Sequence, residues 1–336
     1  MRRPREPELP SLASLLPRFP EREVVVVGDF VADEYVYGET ERISREAPVL
    51  IVRYESSELK AGGAGNAAAN LAALGVKVRA VGVVGDDAVG SALVQELTGL
   101  GVDVSGIQRV PGRETEAKTR ILAGGRSTRR QQMIRLDRAP RAPLPATAER
   151  RLVKELERAG RRAGTVLASD YGSGVLGPAA IEALRVLKRG GVPVCVDSRY
   201  NLRAFTGLTM VKPNEVELEA ASGVSLAQPG GLEKAARVLL KRVDCDVLLV
   251  TRGRNGMSVF RRGAPPVHVA AHGSQDAVDV TGAGDTVAAT FSAGLAAGGD
   301  PVAAARLANV AGSLVVQKPG TATVSREELQ AELLRP

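Results

Sequence analysis

The sequence predicts an α/β protein: a mostly parallel sheet with helices on both faces, from which a small second β-sheet projects. Three observations carry this. Apolar runs of strand length alternate with Ala- and Leu-rich periodic segments along most of the 336 residues. The runs are continuously apolar, as in strands buried on both faces. Two stretches, 35–54 and 115–137, have few helix signals and interrupt the alternation.

The elements follow in order. Residues 1–21 are basic and broken by prolines, and are expected to be a loose lead-in. Strands are expected at 24–30, 78–85, 164–170, 192–198, 209–214 and 246–253, each ending in a turn signal of Gly, Asp or Pro-Asn. Open α/β sheets bind their ligands at such strand ends. Helices are expected at 64–74, 87–100, 147–162, 178–190, 215–222 and 230–242. The core is therefore assigned to 22–34, 55–114 and 138–330, and the projecting sheet to 35–54 and 115–137. Gly124-Gly125 marks a hairpin in the second of these. A sheet that small buries little alone, so it should cover a ligand, a second subunit or both.

Composition narrows the function. Hydrophobic content of 44% with 25% charged residues is ordinary for a globular chain. No apolar run is long enough for a membrane helix, and the N-terminus lacks the apolar core of a secretory signal. A cytoplasmic location and no membrane partner are expected. Cys195 and Cys245 stand in apolar contexts far apart, which reads as two buried free thiols. The net charge of +7 permits a nucleic-acid or an anionic small-molecule partner. Arginines are scattered along helical faces, Trp is absent and aromatics are 3%, so no base-stacking platform exists and no nucleic-acid partner is expected. His268 and His272 with two scattered cysteines make neither a zinc site nor a Ser-His-Asp triad.

The chemistry concentrates in DVTGAGD, residues 279–285. A helix N-terminus carries unpaired N–H groups and a partial positive charge, and glycines let an anion approach them. Gly282, Ala283 and Gly284 therefore read as a phosphate cradle. Asp285 beside such an anion makes sense as a general base for a hydroxyl attacking phosphorus. Alone, the stretch is equally well read as a glycine-rich helix start with an acidic residue against the dipole. No GxxxxGK[ST] loop or dinucleotide fingerprint occurs. Upstream, Gly62, Gly63 and Gly65 lead into a helix with Asn66 at its start, suited either to sugar contact or to plain N-capping. Asp33, shortly after Gly28-Asp29 at the end of the first strand, can accept bonds from sugar hydroxyls or serve a turn.

The order of these pieces is more specific than any one of them. Gly28-Asp29 and Asp33, the GGAGN helix start, Lys212-Pro213-Asn214-x-x-Glu217, the turn Thr251 to Gly256 and DVTGAGD resemble the ribokinase-like (PfkB) carbohydrate kinases from about Val24 to Ser325. The resemblance implies a three-layer α/β/α sandwich with a β-sheet lid, and ATP-dependent phosphorylation of a sugar. Asp285 would then be the catalytic base, with Gly282, Ala283 and Gly284 as the anion hole. Asn214 and Glu217 would organise Mg2+ through water. Thr251, Gly253 and Gly256 would form the nucleotide-phosphate turn, and Asn309 would line the adenine pocket. Asp33, Gly62, Gly63 and Asn66 would contact the sugar. A monovalent cation such as K+ would sit near Asp279 and Gly320, and the lid would form a homodimer.

The segment Gly38 to Val49, with RQQMIRLD, LASDYGSGVL and KPGTATVS, is similar to heptose 7-phosphate kinases of the RfaE/HldA type. That implies phosphorylation of D-glycero-D-manno-heptose 7-phosphate at its anomeric hydroxyl, on the route to ADP-heptose for lipopolysaccharide core. Lys118, Arg199, Arg42 and Arg120 are candidates for its distal phosphate. Departures leave the sugar open: Asp197-Ser198-Arg199-Tyr200 and Lys212-Pro213-Asn214 differ from that subfamily, and the 124–130 tip is long. No HxGH-type nucleotidyltransferase motif occurs. A kinase for another sugar or sugar phosphate and a silent sugar or nucleotide sensor stand as alternatives.

Overall fold

The computed structural model describes residues 9–125, 130–140, 142–273 and 276–335. A short helix α1 (Leu9–Leu12) runs into a 3-10 helix, Ala13–Glu21. Then come β1 (Glu23–Gly28), β2 (Phe30–Ile43), β3 (Leu50–Gly63), α2 (Ala64–Ala73), β4 (Lys77–Gly85), α3 (Ala88–Gly99), β5 (Asp103–Val110), β6 (Ala117–Gly124) and β7 (Gln131–Arg138). The second half begins with α4 (Ala146–Gly160), β8 (Thr165–Asp170), α5 (Pro178–Arg189), β9 (Val194–Ser198), β10 (Met210–Val211), α6 (Glu215–Ser222) and α7 (Gly231–Val243). It ends with β11 (Val247–Thr251), β12 (Met257–Arg261), β13 (Val267–Val269), α8 (Ala283–Ala296), α9 (Pro301–Val315) and α10 (Arg326–Leu333).

The main sheet has nine strands in the order β13-β12-β11-β10-β9-β8-β1-β4-β5. Pairing is parallel from β5 to β11. Only β12 and β13 join antiparallel, at one edge. The interior strand β1 shows why the apolar runs are continuous. Val24 and Val26 pack into one core with Leu71 of α2, Phe291 of α8 and Leu307 of α9. Val25 and Val27 pack into the other with Leu152 of α4, Leu184 of α5 and Leu239 of α7. Side chains alternate across a strand, so a sheet clothed on both faces needs apolar residues at every position. Three layers result.

From Leu12 onward the N-terminal segment corrects the expectation of a loose lead-in at 1–21, of which residues 1–8 lie outside the described residues. Leu12, Leu15, Leu16 and Phe19 are buried in the first core, and the Arg18 guanidinium donates to the Ala297 carbonyl at 3.0 Å. Pro17 and Pro20 exclude a regular α-helix. A three-residue turn tolerates them and still gathers the apolar residues on one side.

The second sheet has four strands in the order β3-β2-β6-β7. Its long hairpin pairs Phe30 with Gly63 at the core and Ile43 with Leu50 at the far end. The strands thus run past the expected limits of 35–54, and β3 enters α2 without a loop. β6 pairs parallel with β2, and β7 closes the sheet antiparallel to β6. Residues 126–129 of the long tip lie outside the described residues. All of β7 is exposed, including the apolar Met133, Ile134 and Leu136.

The packed N-terminus has a measurable consequence. Phe19→Ala removes a side chain that is 0% exposed and should destabilise the fold by about 3–5 kcal/mol. A lower urea midpoint with an unchanged slope is the expected readout; an unchanged midpoint would mean that the segment is loose.

Candidate active site

Strand ends and one helix start build the site. The chain reaches α8 through Gly282, which caps the helix in the left-handed region at φ 77°. A Cβ there would sit 2.4 Å from the Asn66 amide nitrogen, so both conformation and space call for glycine. The helical ladder starts with Thr286 N–H donating to the Gly282 carbonyl at 3.0 Å. The Gly284 and Asp285 N–H groups precede it and belong to the unpaired first turn.

Asp285 is 4% exposed. Its Oδ2 accepts from the Asn66 amide at 2.8 Å, and its Oδ1 accepts from the Tyr171 hydroxyl at 2.8 Å. Burial pushes its carboxyl up to about 7, with Asp197 adding to the effect, while Asn66, Tyr171 and Lys212 pull the other way. Asn66 is the third residue of α2, which is capped by Gly63. Asn70 donates from the same helix to the Asn66 carbonyl at 2.9 Å and to its Oδ1 at 3.1 Å. The Thr286 hydroxyl completes the chain by donating to Asn70 Oδ1 at 2.9 Å. α2 and α8 are thereby pinned together around the carboxylate.

Beside Asp285 lies a buried ion pair, Lys212 Nζ to Asp197 Oδ1 at 2.9 Å. Burial raises the Asp197 carboxyl, and Asp197 in turn holds the Lys212 ammonium up against its own burial. A Cβ on Gly284 would lie 3.4 Å from Lys212 Nζ, so the glycine keeps this cation against the helix start.

A cleft of about 800 Å³ opens from this point. It brings together Gly282, Ala283, Gly284, Asp285, Arg199, Asn214, Glu217, Thr251, Gly253, Gly256 and Asn309. Asn214 and Glu217 form a capping box on α6: Asn214 Oδ1 accepts from the Glu217 N–H at 2.8 Å, and Glu217 Oε2 accepts from the Asn214 N–H at 2.9 Å. One carboxylate oxygen of Glu217 remains outside this box, and burial raises its carboxyl. Thr251 ends β11 and donates its N–H to the Pro213 carbonyl at 3.0 Å. Gly256 turns the chain at φ 79°, where a Cβ would meet the Val269 carbonyl at 2.1 Å. Asn309 donates to the Ala270 carbonyl at 2.7 Å and fixes the loop on that wall.

Other expected residues lie outside the cleft lining. Asp33 is buried and accepts from Arg120 at 2.6 Å, so the two charges engage each other. Gly62 packs against it, since a Cβ there would stand 2.4 Å from Asp33 Oδ2. Gly63 turns β3 into α2 at φ 56°. Lys118 reaches from the lid over the Tyr171 ring, 5.0 Å from its centroid. Asp279 uses both carboxylate oxygens to hold backbone, accepting from Thr281 N–H and Gly320 N–H at 2.9 Å each. Burial opposes these bonds, yet they hold its carboxyl below the usual range. Arg42 does not join the site. It is exposed near the end of β2, about 30 Å along the strand from Asp33. Sequence reasoning assigned no individual role to Tyr171, Asp197, Asn70 or Asp29, the last read only as part of the Gly28-Asp29 to Asp33 strand end. Their signal was position: three of them stand at or just beyond the carboxyl ends of β1, β8 and β9.

The pfkB family of carbohydrate kinases matches residues 21–328 in its sequence model. The chain belongs to this family. It is 42% identical over 311 residues to the bifunctional protein HldE of Geobacter sulfurreducens, covering 92% of this chain and 62% of that one. To the bifunctional protein HldE of Pelobacter propionicus it is 40% identical over 321 residues, covering 95% and 64%. The chain thus spans less than two thirds of the length of these curated relatives. Its fold is ribokinase-like. It superposes on Arabidopsis thaliana ribokinase complexed with ribose and ATP with a TM-score of 0.73 at 24% identity, covering 94% and 99% of the two chains. Phosphofructokinase-2 from Escherichia coli in complex with substrates and products gives 0.75 at 20% identity, covering 93% and 98%. No helix among the described residues is long and apolar enough to cross a membrane.

The close approach at Gly282 sets an expectation for this chain. Gly282→Ala should destabilise it by about 1–2 kcal/mol through the left-handed backbone and push Asn66 off Asp285. Urea unfolding with an ADP-release assay checks both; a stable, fully active variant would show that the approach is not needed.

Proposed function

We propose that the chain transfers the γ-phosphoryl group of ATP to D-glycero-D-manno-heptose 7-phosphate at O1, giving the 1,7-bisphosphate. The observation that carries the transfer chemistry is the buried Asp285 carboxylate beside the unpaired N–H groups of the α8 start. A base whose carboxyl titrates near neutrality both accepts and releases a proton readily. Each Asp285 oxygen carries one protein hydrogen bond and keeps a second lone pair for the acceptor hydroxyl. In this reading the carboxylate takes the hydroxyl proton. The Gly284 and Asp285 N–H groups, with Lys212 next to them, stabilise the charge on the transferred phosphoryl oxygens. Arg199, at the cleft, attracts the phosphate chain. The nucleotide base lies along the apolar wall of Val280, Val287 and Val316, beside Asn309.

The donors present fit a magnesium ion held chiefly by phosphate and water. Glu217 and Asn214 offer hard oxygens at the cleft, while no group of three acidic, His or Cys side chains suited to a metal converges among the described residues. The ion would supply charge neutralisation between phosphate groups. Potassium would take backbone oxygens of the loops that Asp279 joins. The resemblance of Gly38–Val49 and the HldE relatives support the heptose, with Lys118 and Arg199 for its distal phosphate. A homodimer of a cytoplasmic protein through the exposed lid face completes the proposal.

An ADP-release assay across heptose 7-phosphate, fructose 6-phosphate, ribose and fructose tests the substrate. Preference for one of the latter three would replace the heptose. Asp285→Asn should bind ATP and fold normally, yet lose turnover by at least about 10²-fold; near-normal turnover would remove the base. Because the charged carboxylate is the active form, kcat/KM should rise with pH through about 7 and level off above it. A profile flat from pH 5 to 9 would contradict this.

A further inference from the structure

We propose that Tyr171 is a positioning residue: its hydroxyl, carried on a loop anchored by Asp29, orients the Asp285 carboxylate and favours its charged form. This rests on the reading of Asp285 as the base.

The loop is built for the purpose. Asp29, 1% exposed at the end of β1, turns its carboxylate to the backbone just after β8. Oδ2 accepts from the Tyr171 N–H at 2.7 Å and the Ser173 N–H at 3.1 Å, and Oδ1 accepts from the Val175 N–H at 3.4 Å. Gly28, at φ 151°, permits the approach, since a Cβ there would collide with the Ser169 carbonyl at 1.9 Å. The ring is held as well. Lys118 covers its face, with Nζ 5.0 Å from the ring centroid. A side chain held at its backbone and its ring face presents its hydroxyl to Asp285 Oδ1 at 2.8 Å.

The proton inventory gives the bond its sense. Burial, Asp285 and Asp197 keep the Tyr171 phenol far above its ordinary range, so it is a donor throughout the working pH span. Asp285 is faced by Asp197 from β9, which opposes its charge, and by Lys212 beyond β10 and Asn66 from α2, which favour it. Arg199 acts on Tyr171 and Asp197 from the cleft side. A hydrogen bond donated to a carboxylate stabilises the ionised form. Tyr171 therefore works with Asn66 to offset the burial that the site imposes.

The test compares the full chain with Tyr171→Phe and Asp285→Asn. Phenylalanine keeps the ring and deletes only the donor. With ¹³C-labelled aspartate carboxyls, the signal missing in Asp285→Asn identifies Asp285, and its titration midpoint is followed by NMR. Loss of the donor should raise that midpoint by about one pH unit. Turnover on the acceptor selected by the sugar panel should then fall about fivefold near pH 7 and recover by about pH 9. An unchanged or lowered midpoint would overturn the proposal, as would a turnover loss equal at every pH, which marks packing alone. Full turnover in Asp285→Asn would instead remove the base reading, while the NMR midpoints still decide what the Tyr171 hydroxyl does to the carboxylate.

Discussion

The burial of one carboxylate sets the terms for much of this structure. Asp285 stands in the first turn of α8, almost wholly shielded from water. An ionised carboxylate moved from water into a protein interior is costly unless it is hydrogen-bonded and electrostatically balanced. The protein answers with groups from three directions: an amide from α2, a phenol from the loop after β8 and an ammonium from beyond β10. The balance is incomplete, because Asp197 pushes back, and the result is a group poised near neutrality instead of one locked in either state. A carboxylate fully balanced by such partners would stay ionised, and an unbalanced one would be neutral at physiological pH.

Parallel topology makes this convergence possible. Carboxyl ends of neighbouring parallel strands all point the same way, so β1, β8, β9, β10 and β11 deliver residues to one edge of the sheet. Asp29 follows β1, Asp170 precedes Tyr171 at β8, Asp197 lies in β9, Lys212 follows β10 and Thr251 closes β11. Lys212 and Asp197 form their ion pair because β9 and β10 are adjacent and in parallel register. The antiparallel β12 and β13 extend the sheet beyond this edge and set the wall where Asn309 grips the Ala270 carbonyl.

What the sequence made legible follows from the range of each interaction. Strand and helix positions were readable because they depend on local pattern, and the six expected strands and six expected helices each correspond to an observed element. The turns at Asn214–Glu217 and Thr251–Gly256 were readable because each closes on itself within a few residues. The contact of Asn66 with Asp285 spans 219 residues, and no local pattern encodes it. The same holds for the Thr286–Asn70 bond and for the Asp29 anchor of the Tyr171 loop. The N-terminal segment was misread for a different reason. Its prolines argue correctly against an α-helix, but a 3-10 turn with Leu12, Leu16 and Phe19 on one side satisfies both prolines and core.

The lid joins this network through hydrogen bonds and charge. Tyr35 of β2 shares a buried hydrogen bond of 2.8 Å with the Thr321 hydroxyl. Thr321 lies beside Gly320, whose N–H is held by Asp279, and its methyl group lies 3.4 Å from the place a Gly282 Cβ would occupy. Lys118 of β6 rests on the ring whose hydroxyl holds Asp285. Two strands of the lid therefore touch the two sides of the α8 start: β2 through the loop at Gly320, and β6 through Tyr171. That couples the geometry of the α8 start to the position of the projecting sheet through two hydroxyls, of Tyr35 and Thr321, and one cation, Lys118.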